Sequence, residues 1–241
     1  MIAAAEEGWD KKQKILLILA HPDDPEFFCG ATVARWVELG HEVSYCLLTK
    51  GDKGGDDFDV TPGTLAGIRE VEQRRAAAVL GVKKIRYLDF EDGYLVADIQ
   101  ARRAITRVIR EEKPDILVSC DPTNYIPRAG YLNHPDHRAA GQMVCDAVFP
   151  CAGNPHYFPE LLKEGLLPHK VKELWFSLPA VADFILDVTR YWERKIQALY
   201  EHKSQIGDKE AFTKRMRGRH TPDSSPESPR YEERFRRIVF S

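Results

Sequence analysis

The sequence predicts an α/β fold of three layers, a mostly parallel central sheet with helices on both faces. Short apolar, β-branched runs alternate with longer segments of helical period, and in that order they imply strand-helix-strand units. The length of 241 residues suits one such domain with surface elaborations better than two separate ones.

The first run, "KILLILA" (14–20), reads as a buried strand, and a helix from Phe27 to Leu39 follows it directly. "EVSYCLLT" (42–49) is the second strand. The helix from Thr64 to Leu80 places Leu65, Ile68, Ala76, Val79 and Leu80 on one face, and Gly81 ends it. "KKIRYLD" (83–89) is the third strand, and a helix from Ile99 to Glu112 stops at "KP". "DILVSC" (115–120) is the fourth strand. It leads through the loop "DPTNYIPRAGYLNHPDHRAAG" to a helix from Asp136 to Val148. Loops of that length are unusual unless they carry function. Residues 151–172 are either a flap over the same edge or a surface excursion. "ELWFSL" (173–178) is the fifth strand and Thr189 to His202 the fifth helix. The expected core is 13–205; residues 206–241 form a basic, partly flexible extension in which "TPDSSPESP" (221–229) is low-complexity and mobile. The arrangement is Rossmann-like, so ligands belong at the carboxyl ends of the strands, in the loops after Ala20, Thr49, Leu88 and Cys120.

Composition excludes several classes. Charged residues at 30% and the AVILMFWYC set at 43% are ordinary for a globular protein. The first apolar stretch, Ile15 to Ala20, is too short for a signal-peptide core and far short of the roughly 20 residues of a membrane helix. A soluble, cytoplasmic protein without a membrane span is expected. Five cysteines without a CxxC pair argue against a disulfide framework. The net charge of -2 hides a basic stretch, Lys209 to Arg237, with nine Lys or Arg against five Asp or Glu. It lacks the aromatic interleaving that stacks bases, so no nucleic-acid partner is expected and the charges meet the acidic body of the protein or a neighbouring subunit. A homo-oligomer stays open; no surface stripe singles itself out.

Phosphate-loop readings fail. Residues 20–33 contain only Gly30, not the glycine triplet of a dinucleotide site, and in "KGDKGGDD" (50–57) Lys53 precedes Gly54 instead of following the last glycine. That loop is a flexible segment at the edge of a site.

"AHPDDPEFFCGAT" (20–32) sets His21, Asp23 and Asp24 where the first strand ends. A strand passing through a turn into a helix aims positions i and i+3 at one point, so His21 and Asp24 converge and Asp23 faces what they share. Imidazole and carboxylate suit zinc, but two ligands are too few. "NHPDHRAAG", more than 100 residues on, lies at another strand end and offers His134 and His137 around Asp136. Three protein ligands with one open position describe a catalytic site. Alone, HxxD is mostly a capped turn.

"AHPDDPE", "LLTKGDKGG", "GIREVEQRRAAAVLG" and "NHPDHRAA", in that order, resemble the LmbE-like or PIG-L family of zinc-dependent N-acetylglucosamine deacetylases over roughly 13–205. The resemblance implies a single LmbE-like domain over 1–241, with one zinc ion per chain held by His21, Asp24 and His137. Ferrous iron suits the same ligands. It makes Asp23 the general base and gives His134 a role in charge and proton handling, protonated or hydrogen-bonded to Asp136. The substrate is an N-acetylated amino-sugar small molecule. The ion polarises the acetamide and acidifies water, Asp23 takes the proton, and His134 stabilises the oxyanion, one such donor being worth roughly 3 kcal/mol. It also gives Arg69 a sugar contact, against a solvated pair with Glu72, and makes Asp92 a sugar-hydroxyl acceptor, against a turn-forming Asp-Gly. Pro25 departs from the commonest family form but suits the first helical position, so no loss of metal is expected. Another N-acyl substrate, such as a glycopeptide or antibiotic intermediate, is one alternative, and a silent sugar-binding module is the other.

Overall fold

The computed structural model describes residues 4–55 and 57–240. The first apolar run forms β1 (Lys14–Leu19), buried at every position after Lys14, as a central strand covered on both faces must be. Its parity divides the core. Ile15, Leu17 and Leu19 meet one helical layer, whereas Leu16 and Ile18, with Ala20 just beyond, meet the other.

Parallel to β1 run β2 (Glu42–Leu47), β3 (Lys84–Tyr87), β4 (Ile116–Cys120) and β5 (Glu173–Ser177). With β6 (Phe184–Asp187) and β7 (Glu232–Val239) the sheet order is β3-β2-β1-β4-β5-β7-β6. Helices α1 (Asp24–Glu38), α2 (Pro62–Leu80) and α6 (Trp192–Leu199) lie on one face, and α3 (Ile99–Glu112) and α4 (Pro135–Asp146) on the other. The three layers and mostly parallel sheet are those expected. The chain steps outward from β1 through β2 and β3, then crosses to β4 on the other side. This reversal opens a crevice at the carboxyl ends of β1 and β4.

Several expectations need correction. Leu65, Ala76 and Leu80 are buried as expected, but Ile68 is 40% exposed, and the inward face between Leu65 and Ala76 is the buried trio Arg69, Glu72 and Gln73. An apolar periodicity cannot show a face that is polar because it borders a site. Residues 151–172, which include α5 (Pro159–Lys163), are a surface excursion and not a flap. Arg110 gathers the carbonyls of Cys151, Asn154 and Tyr157 at 2.9–3.0 Å, and Lys172 pairs with Asp115 at 2.7 Å beside the amino end of β4. That is the opposite edge from the crevice.

The largest departure is the carboxyl-terminal stretch. After α7 (Lys203–Ile206) and α8 (Lys209–Arg217), β7 enters the sheet antiparallel to both β5 and β6. Phe235 and Glu233 face inward while Arg234 and Arg236 face out. A strand covered on one face alternates charged with apolar residues, and so resembles a polar tail in sequence. Its basic residues pair largely within the chain: Arg237 with Glu173 at 2.8 Å, Arg234 with Glu232 at 3.0 Å. The 221–229 stretch is closed by the Thr221 N–H to the Arg230 carbonyl at 2.7 Å and by Arg230 with Asp223 at 2.6 Å.

Candidate active site

Beyond β1 the chain turns sharply at Asp23, whose φ of 84° lies in the left-handed region that non-glycine residues seldom adopt. Three bonds hold it there. Its N–H donates to Gln73 Oε1 at 2.7 Å, its Oδ2 accepts from Arg69 at 3.1 Å, and the preceding Pro22 carbonyl accepts from Arg69 at 2.7 Å. Gln73 is fixed in turn by Glu26, which it bonds at 3.0 Å, and Glu26 by His202 at 3.1 Å, both fully buried. Gln73 and Glu26 lie inside the stretches "GIREVEQRRAAAVLG" and "AHPDDPE", but nothing in either marks them as supports of Asp23, and His202 lies in neither. They adjoin Asp23 only because α1, α2 and the turn after α6 pack together.

Asp24 opens α1 and its Oδ2 accepts the His21 N–H at 2.9 Å, so the expected i,i+3 convergence forms. One donor atom from each of His21, Asp24 and His137 lies within 4.8 Å of the others. Nδ1 of His21 is 3.5 Å from Asp24, and Nε2 of His137 is 3.1 Å from the other Asp24 oxygen. The remaining nitrogens are also engaged. His21 Nε2 reaches Asp92 at 3.1 Å and Asp136 at 3.3 Å, and His137 Nδ1 reaches Asn133 Oδ1 at 2.9 Å. Imidazoles whose far nitrogen is bonded to a carboxylate or amide are oriented as metal ligands are. The residues therefore fit a divalent cation.

His134 and Asp136 are hydrogen-bonded, but through the Asp136 backbone N–H and not its carboxylate. That carboxylate bonds His21 and the backbone N–H of Gly93 and Leu95 at 2.8 and 3.2 Å. His134 Nδ1 accepts the Asp136 backbone N–H at 3.2 Å, which assigns the ring hydrogen to Nε2.

Electrostatics agree with these contacts. Burial pushes Asp23 up to about 6, against the pull of Arg69 and with the repulsion of Asp24. Against the cost of their own burial, His137 and His21 hold Asp24 well below the usual carboxylate range, and Asp136, Asp24 and Asp92 raise His21. Burial, then His21 and His137, lower His134, so it is a neutral imidazole.

Arg69 is not the solvated partner of Glu72. It is 4% exposed and donates to the Gly51 carbonyl at 2.7 Å, while Glu72 accepts from Ser204 at 2.7 and 2.9 Å. A Cβ on Gly51 or Gly54 would stand 2.2 or 2.3 Å from Nη1 of Arg69, so the glycine-rich loop is cut to receive a guanidinium. Asp92 is 4% exposed and has two protein donors, His21 and the Lys53 N–H at 2.7 Å. His21, Asp23, Asp24, Arg69, Asp92, His134 and His137 border one cleft of about 750 Å³, with Phe28, Tyr131 and Leu178 as apolar wall. His41 and His169 lie elsewhere, accepting the Gln13 N–H and bonding the Pro114 carbonyl.

A parallel sheet whose switch point carries a His-Asp-His donor set beside a held carboxylate defines an α/β enzyme of the metal-site class. The chain belongs to the PIG-L family, whose model, described as GlcNAc-PI de-N-acetylase, matches residues 16–148. It is 37% identical over 200 residues to the diacetylchitobiose deacetylase of Thermococcus kodakarensis, covering 83% of this chain and 73% of that one. It is 28% identical over 209 residues to the probable N-acetyl-alpha-D-glucosaminyl L-malate deacetylase 2 of Bacillus anthracis, covering 85% and 86%. Among solved structures, the N,N'-diacetylchitobiose deacetylase of Pyrococcus horikoshii superimposes with a TM-score of 0.85 at 30% identity, over 94% of this chain and 84% of that one.

Proposed function

We propose that this protein is a metal-dependent hydrolase that removes the acetyl group from an N-acetylglucosamine-containing small molecule, giving acetate and a free amine. The observation that carries the reading is Asp23, fixed by Arg69 and Gln73 beside the His21, Asp24 and His137 donor set. Similarity to deacetylases of N-acetylated sugars supports the substrate class.

A cation held by His21, Asp24 and His137, which we assign as zinc, supplies carbonyl polarisation and acidified water when bound. Asp23 receives the proton as water attacks the acetamide. His134, neutral and carrying its hydrogen on Nε2, donates to the oxyanion that develops. Collapse expels the amine, and Asp23, which holds the transferred proton, returns it to the leaving nitrogen. Arg69 keeps the Asp23 carboxylate in place and lines the cleft where the sugar lies. Asp92 orients His21 and offers its remaining lone pairs to a sugar hydroxyl. Asp136 acts through His21 as a positioning residue.

Among the described residues no helix is long and apolar enough to cross a membrane, and we place the protein in the cytoplasm. The test is acetate and amine release from an N-acetylglucosaminide, in equal amounts and dependent on added zinc. Sugar binding without release by the metal-loaded protein would leave a binding module instead.

A further inference from the structure

Charge in the cleft is segregated. The floor holds Asp23, Asp24 and Asp92 around His21 and His137, with Arg69 paired to Asp23 and Lys53 to Glu91, whereas Arg128, Arg215 and Arg219 line the same cleft at its exposed mouth. Arg128 comes from the loop after β4, Arg215 from the last turn of α8 and Arg219 from just beyond it. Two separate segments thus bring three guanidinium groups to one place.

The ordinary explanation of a basic helix end is compensation of the helix dipole or pairing with a neighbouring carboxylate. Arg217, in the same turn as Arg215, does pair, with Glu193 at 3.0 Å. Among the described residues none of Arg128, Arg215 and Arg219 has a carboxylate within 4.0 Å. Arg128 and Arg215 lie over the rings of Tyr131 and Phe212 at 4.9 and 5.1 Å, which orients the groups without neutralising them. Partial desolvation, then repulsion from Arg215 and Arg128, lowers the pKa of Arg219. Three like charges converging on a cleft mouth are unfavourable unless an anion completes them. The cleft is also large enough to hold more than one sugar ring.

We propose that Arg128, Arg215 and Arg219 form an anion subsite, so that the preferred substrate is an N-acetylglucosaminide bearing a carboxylate or phosphate on the part beyond the sugar. This rests on the deacetylase reading above for the chemistry at the floor, but the arginine cluster can be tested separately. Guanidinium forks match either oxyanion bidentately, and the choice between them is one arm of the test.

The experiment compares kcat/KM of the zinc-loaded full chain for methyl, carboxymethyl and phosphoethyl N-acetylglucosaminides, in wild type, Arg128→Gln, Arg215→Gln and Arg219→Gln. Wild type is expected to favour at least one charged glycoside over the methyl one by tenfold or more, and each variant to cut that ratio by about tenfold, the worth of a charge-assisted hydrogen bond. Whichever charged glycoside leads identifies the oxyanion. A wild-type ratio near one, or a ratio the variants do not change, overturns the subsite and leaves the deacetylase standing. If no glycoside is turned over, calorimetry with N-acetylglucosamine 1-phosphate and N-acetylglucosamine decides. Tighter binding of the phosphate, lost in the variants, keeps the subsite while the deacetylase reading falls; equal binding overturns the subsite.

Discussion

Asp23 sits in a backbone conformation that costs free energy, and the side chains around it offset that cost. Gln73 is the single link between its N–H and the buried Glu26-His202 pair. Gln73→Leu leaves the Asp23 N–H and the Glu26 carboxyl group short of partners. Urea unfolding should show a loss of about 1–3 kcal/mol. Misplacement of the base should lower kcat by roughly 10- to 100-fold with KM little changed; an unchanged kcat would remove Gln73 from the account. His202 makes a second prediction at this scale. Burial lowers its pKa, but the bond to Glu26 and the negative charges of Glu26, Asp23 and Glu72 together outweigh burial and raise it above 6.5. A group raised on folding contributes stability fully below its unfolded pKa and loses it as pH climbs through the folded one. The stability gap between wild type and His202→Gln should therefore be widest below about pH 6.5 and narrow on the alkaline side; a gap that widens with pH contradicts the pairing. The role of such residues was not legible beforehand. His21, Asp23 and Asp24 share four positions and announce themselves, whereas Gln73, Glu26 and His202 meet only in the folded chain.

Among elements, α1 depends on the strand that the sequence hid. At Cys29 the helix backbone departs to φ -148°, and the N–H groups of Ala31 and Thr32 turn to Glu233 of β7 at 3.2 and 2.7 Å. Lys195 of α6 completes the arrangement at 2.6 Å, both charges being nearly fully buried. Breaking one side of such a pair costs about 3–5 kcal/mol, so Glu233→Ala should lower the urea midpoint steeply, and adding Lys195→Met should recover part of the loss. No recovery in the double variant would mean that Glu233 acts through the α1 amides alone. Four of the five parallel strands were legible because burial on both faces writes a continuous apolar run, whereas β3, half-buried at the sheet edge, shows only Ile85 and Tyr87 alternating with charged residues. β6 and β7 were not legible, being four residues long in one case and charged at five of eight positions in the other. Ile68 in α2 was misread for a related reason, since the inward face in the middle of that helix serves the site and is polar.

For the whole molecule, sheet order decides where chemistry occurs. Reversal between β1 and β4 brings His21 and His137 to one crevice although they are 116 residues apart in the chain, and the site is shared between their two loops. The loops after parallel strands were the right place to look, yet the cleft mouth drew on α8, which no strand rule indicates. A bound ion that ties these loops together should stabilise the fold by about 2.7 kcal/mol at a hundredfold excess over Kd. Dialysis against a chelator should abolish activity and lower Tm, and zinc should restore both; a Tm indifferent to zinc would argue that His21, Asp24 and His137 do not hold it. The central claim, that Asp23 is the base beside that ion, is tested most directly by amine release from an N-acetylglucosaminide with wild type and Asp23→Asn side by side, zinc content measured in each. Asn tolerates the left-handed turn, so the account predicts equal zinc and activity reduced by about 10²- to 10⁴-fold. Equal zinc with undiminished release would contradict it.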